Sequence, residues 1–311
     1  MPIKNWLRIM NSYTTVIEEG DVEKLRSILS ARGFAFSEKA YAYYSAKKEK
    51  LHVTVYEKGP KVLVQGKQTE EFVKFILEPE ILGEALLGNE EVYMPEMFEP
   101  HFGVDESGKG DFFGPLVIAG VYTERESARA LLDAGIADSK RVSSQKKIVE
   151  LSEKIRSTPG VVWECISLRP EKYNELYVKF GNLNRLLAWG HARVIAALAA
   201  KVPQCPRALS DQFAREEVLL SAMKYQGAAV EHIELQQRTK GESDIAVAAA
   251  SIIAREAFVD WVERASEKGG VTMPLGAGSS VLDAGRELVG RHGREILPKI
   301  AKMHFKTAMQ I

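Results

Sequence analysis

His101-Phe-Gly-Val-Asp105-Glu-Ser-Gly-Lys-Gly110-Asp-Phe-Phe-Gly-Pro115-Leu-Val-Ile-Ala-Gly-Val-Tyr122 is the stretch on which the reading of this chain turns. A short apolar run (Phe102, Val104) and a longer one (Leu116 to Val121) flank a polar knot, the pattern of two adjacent buried strands. The knot holds three acids, Asp105, Glu106 and Asp111, and the triplet Gly108-Lys109-Gly110. Side chains alternate across a strand, so Asp105 and Glu106 point to opposite faces if the strand runs unbroken. A carboxylate at a strand end, followed by glycines that let backbone N–H groups approach a ligand, suits a metal-assisted phosphate site. A surface hairpin with solvated acids shows the same local pattern, so the decision falls to the rest of the chain.

Downstream, helices and strands alternate. Helices are expected over 127–134, 144–156, 183–201 and 244–268, with strands over 161–168, 208–211 and 230–235. That alternation predicts an α/β domain with covered sheet faces. Two further carboxylate positions stand out. Asp211 closes the expected strand Ala208-Leu-Ser-Asp211, where a side chain projects beyond the sheet edge; the alternative is a helix N-cap before Ala214. Lys240-Gly-Glu-Ser-Asp244 precedes Ile245-Ala-Val-Ala-Ala-Ala-Ser-Ile-Ile-Ala-Arg255, a helix of small and β-branched residues that must be buried on most sides. Of Glu242 and Asp244, one can cap that helix and one can bind a metal, and spacing alone leaves the choice open. Carboxylates from two strand ends and a helix start are hard oxygen donors, which suit Mg²⁺ or Mn²⁺ and not Zn²⁺. Such a site implies phosphate chemistry with two ions.

Upstream, residues 1–78 read as a small α+β module: a helix over 22–31, strands over 51–56 and 61–66, and a helix capped by Thr69. Pro79 closes it, and 79–100 is an acidic linker with Pro79, Pro95 and Pro100. Residues 1–74 carry 13 Lys and Arg against 9 acids, whereas 75–104 hold seven Glu and neither Lys nor Arg. A net charge of zero over 311 residues therefore hides a basic front, which permits a nucleic-acid partner. Apolar content of 45% with 27% charged residues fits a globular protein. Without a membrane-length apolar run or a signal-peptide core, and with only Cys165 and Cys205, the expectation is a cytoplasmic protein with neither disulfide framework nor cysteine zinc site.

Taken together, these motifs resemble the type 2 ribonucleases H. Asp105-Glu-Ser-Gly-Lys-Gly-Asp-Phe-Phe-Gly-Pro115 is similar to their first motif, Asp138-Ser-Lys140 to the second, Asp211 to the third carboxylate, and Lys240-Gly-Glu242 with the following Ala-Ala-Ala-Ser-Ile-Ile-Ala-Arg255 to the fourth. The likeness spans residues 102 to about 307. An N-terminal module, Lys109 in place of arginine and Glu242 in place of aspartate favour the HIII branch.

The resemblance implies a ribonuclease H-like fold, a mixed central sheet with helices on both faces (101–311), behind an N-terminal TATA-binding-protein-like α+β domain (1–78). It implies endonucleolytic cutting of RNA in RNA–DNA hybrids, leaving 5′-phosphate and 3′-hydroxyl ends. Asp105, Glu106, Asp211 and Glu242 would be the catalytic acids and ligands of two Mg²⁺ or Mn²⁺ ions, with Asp244 as rival to Glu242. Ser107, Gly108, Lys109, Gly110 and Lys140 would meet the substrate, whose 2′-hydroxyls distinguish RNA. A monomer without membrane attachment is expected. The alternatives are an HII-type enzyme cutting at single ribonucleotides in duplex DNA, and a hybrid-binding protein that does not cut. His101, His191 and His304 read as structural, and Tyr173, Asn182 and Asn184 mark a polar stretch that could face substrate.

Overall fold

The structure, a computed structural model, describes residues 12–83, 90–136, 144–239 and 241–311. It divides into two compact units, Met1–Pro95 and Glu96–Ile311.

In the first unit the chain runs β1 (Ser12–Val16), α1 (Asp21–Ala31), β2 (Ala35–Ser37), β3 (Ala42–Lys48), β4 (Leu51–Tyr56), β5 (Lys61–Gly66) and α2 (Thr69–Phe72). The five strands form an antiparallel sheet in the order β1-β5-β4-β3-β2. Alternation sorts its two faces. Tyr44, Ala46, Val53, Val55, Val62 and Val64 lie on one, in a buried cluster with Leu25 and Leu29 of α1 and Phe72 of α2. The other carries rows set by the register, Thr14-Leu63-Thr54-Ser45 and Ser12-Gln65-His52-Lys47, with Lys61 at one end. No carboxylate lies in these rows.

Beyond α2 the helix continues in π turns, Val73–Leu82, and passes through Pro79 instead of stopping there. In α geometry the proline ring clashes with the carbonyl four residues back, and a wider turn moves that carbonyl aside. Thr69 is the first helical residue and not the cap; its hydroxyl donates to the Gly66 carbonyl at 2.8 Å. A single turn, α3 (Glu90–Tyr93), follows.

The second unit contains β6 (His101–Ser107), β7 (Leu116–Thr123), α4 (Arg125–Asp133), α5 (Gln145–Ser157), β8 (Val162–Leu168), α6 (Pro170–Phe180), α7 (Leu183–Lys201), β9 (Arg207–Asp211), α8 (Glu216–Lys224), β10 (Glu234–Arg238), α9 (Ile245–Gly269), α10 (Ser279–His292), α11 (Leu297–Ile300) and α12 (Thr307–Gln310). Its sheet is mixed, in the order β10-β9-β6-β7-β8, with β10, β9 and β6 parallel and β7 and β8 antiparallel to their neighbours. The last strand begins four residues later than the sequence suggests. Residues Ala228–Val230 form a 3-10 turn, and the Ile233 N–H donates to the Val230 carbonyl, so the apolar run before 234 plugs a turn.

Helix α9 packs on β6 and β7, and α7 covers the opposite face. Residues Ile245–Ala250 are all buried, as their small and β-branched character requires. Burying each such Ile or Val contributes about 1.5–3 kcal/mol. This seats the helix start firmly beside the end of β9.

Candidate active site

Strand β6 runs unbroken through both of its acids. Asp105 pairs with Ala119 and Glu106 with Ile118 on β7, so their side chains leave opposite faces of the sheet. Asp105 takes the α9 face, where it bonds the Ser251 hydroxyl, and burial with the neighbouring Glu106 charge pushes its carboxyl up to about 6. Glu106 takes the α7 face. Its Oε2 accepts from His191 Nε2 at 3.0 Å and its Oε1 from Lys109 Nζ at 3.2 Å. Burial pushes this carboxyl upward, but the hydrogen bonds and charges of His191 and Lys109 outweigh it and hold Glu106 below the usual range. Two adjacent acids thus receive opposite protonation tendencies from opposite faces.

Asp211 sits at the end of β9, and α8 starts only after Arg215, so Asp211 caps no helix there. Its Oδ1 accepts from the Gly241 N–H at 2.8 Å instead. That approach favours glycine: a Cβ on Gly241 would lie 3.0 Å from Asp211 Cα, a tight contact. The bond fastens the 3-10 turn Gly241–Ser243, with Glu242 in its middle, to the end of β9. The Glu242 side chain, Lys240 and residues 137–143, with Asp138 and Lys140, lie outside the described part.

Asp244 has a different occupation. Its carboxylate caps α9, with Oδ1 accepting from Ala246 N at 2.9 Å and Val247 N at 3.2 Å. The same group lies 3.0 Å from Nε2 of the fully buried His101, whose Nδ1 is 2.7 Å from the Glu99 carbonyl oxygen. These contacts assign Asp244 to the helix start.

The third acid of the knot, Asp111, also works structurally. Its Oδ1 accepts from Gly276 N at 2.6 Å, and Phe112 N donates to Gly276 O at 2.8 Å. From the other side Lys302, fully buried, donates from Nζ to the carbonyls of Asp111 (2.9 Å) and Gly114 (2.8 Å), and from its backbone N–H to Phe112 O. Burial, partly offset by the Asp111 charge, brings the Lys302 ammonium down to about 7. The turn held this way contains Ser107 to Gly110. Gly108 has φ +86° and its Cβ would lie 2.3 Å from Pro115 O, whereas Gly110 has nothing within 4 Å. Gly108 builds the turn, then, and Gly110 leaves backbone exposed. Lys109 directs its ammonium to Glu106, near the Phe213 ring.

Elsewhere Tyr173 points inward, fully buried beside His304 at 3.3 Å, and Asn182 caps α7 through the N–H groups of Asn184 and Arg185. Tyr173 is thus part of the core, whereas Asn182 stays exposed beside its helix start. The role of His191 as partner of Glu106 was not evident from residue spacing.

Asp105, Glu106 and Asp211 each offer carboxylate oxygens, donors whose chemistry fits a hard divalent cation. Among the described residues no three His, Cys, Asp or Glu form a metal-binding group. Asp105 and Glu106 occupy opposite faces, and the backbone of Glu242 lies in the turn at 241–243.

Against known proteins, residues 102–308 match the family model of Ribonuclease HII. The chain is 42% identical over 295 residues to a ribonuclease HIII of Protochlamydia amoebophila, covering 95% of both chains. It is 45% identical over 289 residues to one of Chlamydia pneumoniae, covering 92% of this chain and 93% of that one. The solved structure of Bst-RNase HIII in complex with Mn2+ superposes with a TM-score of 0.65 at 25% identity, covering 96% of this chain and 97% of that one.

Proposed function

The chain belongs to the ribonuclease HIII branch of the type 2 ribonucleases H, and from that premise we propose that it cuts the RNA strand of RNA–DNA hybrids internally, leaving 5′-phosphate and 3′-hydroxyl ends. Asp105, Glu106, Asp211 and Glu242 would hold the divalent cations, Mg²⁺ or Mn²⁺, two in number. When bound, such a pair supplies an activated water and a stabilised leaving oxygen for in-line displacement. One observation carries the reading: two acids leave opposite faces at the end of β6, and the Gly241–Ser243 turn is fastened to the Asp211 carboxylate one strand away.

The residues divide the remaining work. His191 and Lys109 keep Glu106 ionised, while burial keeps Asp105 reluctant to ionise until a cation compensates it. Gly110 offers unobstructed backbone to the RNA strand, with Ser107, Gly108, Lys109 and Lys140 beside it. The polar rows of the first sheet, with Lys47, Lys61 and His52 and no acid, suit phosphate contacts along the hybrid. We read residues 1–78 as that binding domain, 79–100 as linker and 101–311 as the catalytic domain. We read the protein as a monomer. No helix among the described residues is long and apolar enough to cross a membrane, and both cysteines are free; a cytoplasmic enzyme agrees with this.

The test is cleavage of an end-labelled hybrid beside single-stranded RNA, double-stranded RNA, DNA, and duplex DNA with one embedded ribonucleotide. Cutting of the hybrid alone, dependent on Mg²⁺ or Mn²⁺, is expected. Preference for the single ribonucleotide would move the enzyme to the HII type, and binding without cutting would remove the catalytic assignment.

A further inference from the structure

We propose that His191 is a positioning residue that ties β6 to β9 at the point where their pairing ends, and so sets Glu106 against Asp211 for cation binding. The inference rests on the metal reading above. Parallel pairing of the two strands runs from Phe102–Ala208 to Val104–Ser210 and stops. Each strand stays paired to its other neighbour beyond that point, β6 to Ser107–Val117 and β9 to Asp211–Arg238. The register between the two strands that carry the acids therefore ends one residue before Asp105 and Asp211, leaving a gap in the pairing there.

His191 bridges that gap from α7. Its ring is fully buried, with Nε2 donating to Glu106 Oε2 at 3.0 Å and Nδ1 lying 3.0 Å from Ser210 Oγ. Ser210 Oγ also lies 3.0 Å from the carbonyl oxygen of Asp211; its single proton serves that carbonyl when Nδ1 donates to Oγ and serves Nδ1 otherwise, so the contacts reach the peptide of the second acid through Ser210. The Phe213 ring packs on the imidazole with centroids 4.7 Å apart, which restrains its rotation. A glutamate has three side-chain torsions and would otherwise sample many positions at this edge. The two partners of Glu106 are unequal: the His191 side chain is 0% exposed and the Lys109 side chain 39%. Lys109 can swing away and release Oε1, while His191 keeps Oε2 fixed. Outer partners of metal ligands typically change metal affinity or activity by about 10–100-fold when removed.

The experiment is Mn²⁺ titration calorimetry on the full-length protein without nucleic acid, for wild type, Asp105→Asn, His191→Phe, His191→Gln and Ser210→Ala, with melting temperatures in chelator. His191→Phe keeps a ring against Phe213 but can make neither hydrogen bond, and should weaken Mn²⁺ by about 10–100-fold. His191→Gln, which can still donate to Glu106, should recover part of that loss, and Ser210→Ala should weaken binding by less. Cleavage by His191→Phe should return at saturating Mn²⁺ with the hybrid KM unchanged. Wild-type Mn²⁺ affinity in His191→Phe, beside a clear loss in Asp105→Asn, would overturn the proposal and leave the metal reading standing. Absence of Mn²⁺ binding in wild type, or undiminished binding in Asp105→Asn, would overturn both. If His191→Phe fails to fold, Ser210→Ala and His191→Gln decide, because undiminished affinity in both would equally remove the tie.

Discussion

The molecule contains two five-stranded sheets that put chemistry in different places. In the first, helices cover one face and the other is a field of hydroxyl, amide and basic side chains. In the second, α7 and α9 cover opposite faces, and the polar groups sit where strands end. A face offers many weak, replaceable contacts over a wide area, as binding a polyanion of any sequence requires. An edge between two covered faces offers few groups, each held by burial and by partners above and below the sheet. Acids can be crowded together only in the second arrangement, since each covering layer supplies its own counterbalance. Ser251 does this on one side, and His191 with Lys109 on the other.

If the edge is where the chemistry happens, Asp105→Asn should bring cleavage below a few per cent of wild type while hybrid binding is nearly kept. The same substitution should alter stability with a defined sign. The folded-state value of Asp105, about 6, lies above the ordinary 3.8, so its ionised form destabilises the metal-free fold. That cost is present in full above pH 6 and is gone once the pH falls below the unfolded value; two pK units correspond to about 3 kcal/mol at most. In chelator at pH 8 the asparagine variant should resist urea better than wild type, and at pH 3 the advantage should vanish. An equal urea midpoint at pH 8 would show that the edge is less buried than the structure indicates.

A second measurement separates the two acids at the start of α9. Glu242→Gln should lower kcat by orders of magnitude, be partly rescued by high Mn²⁺ and leave stability nearly unchanged. Asp244→Ala removes both the helix cap and the partner of buried His101, and should cost about 3–5 kcal/mol by denaturant unfolding. A dead but stable Asp244→Asn with an active Glu242→Gln would exchange their roles.

The smallest effect belongs to the face. Lys47→Ala with Lys61→Ala should raise the hybrid KM several-fold with kcat unchanged, and should lower the slope of log KM against log salt by about one for each phosphate no longer neutralised. An unaltered slope would mean that this sheet does not meet the nucleic acid.

Much of this was legible in the residues. The knot at 105–111 predicted two strands and a pair of acids on opposite faces, and the small-residue run at 245–254 predicted a buried helix, because burial leaves a compositional trace. For Glu242 and Asp244 the motif favoured Glu242 as the ligand and left Asp244 to the helix start, but spacing could not decide, since a cap and a ligand use the same side chain at neighbouring positions. What assigns Asp244 is His101, 143 residues away in sequence. His191 gave a fainter signal. It shares a helix face with Leu187, Val194 and Leu198, all buried, and a polar ring on an apolar stripe must find an internal partner. Lys302, in Ile300-Ala-Lys-Met303, gave none, because a lysine reads as exposed until the carbonyls around it are known.

Lys302 also has a consequence in time. It grips the carbonyl of Asp111 from 191 residues further along the chain. At about 5–20 residues per second, a ribosome needs about 10–40 s to travel from one to the other. Throughout that interval the glycine turn beside Asp105 and Glu106 has already emerged but lacks its fastening. Maturation of the cutting edge is therefore deferred until Lys302 has been made, and a product stalled or shortened before it carries both acids on a turn that lacks this fastening.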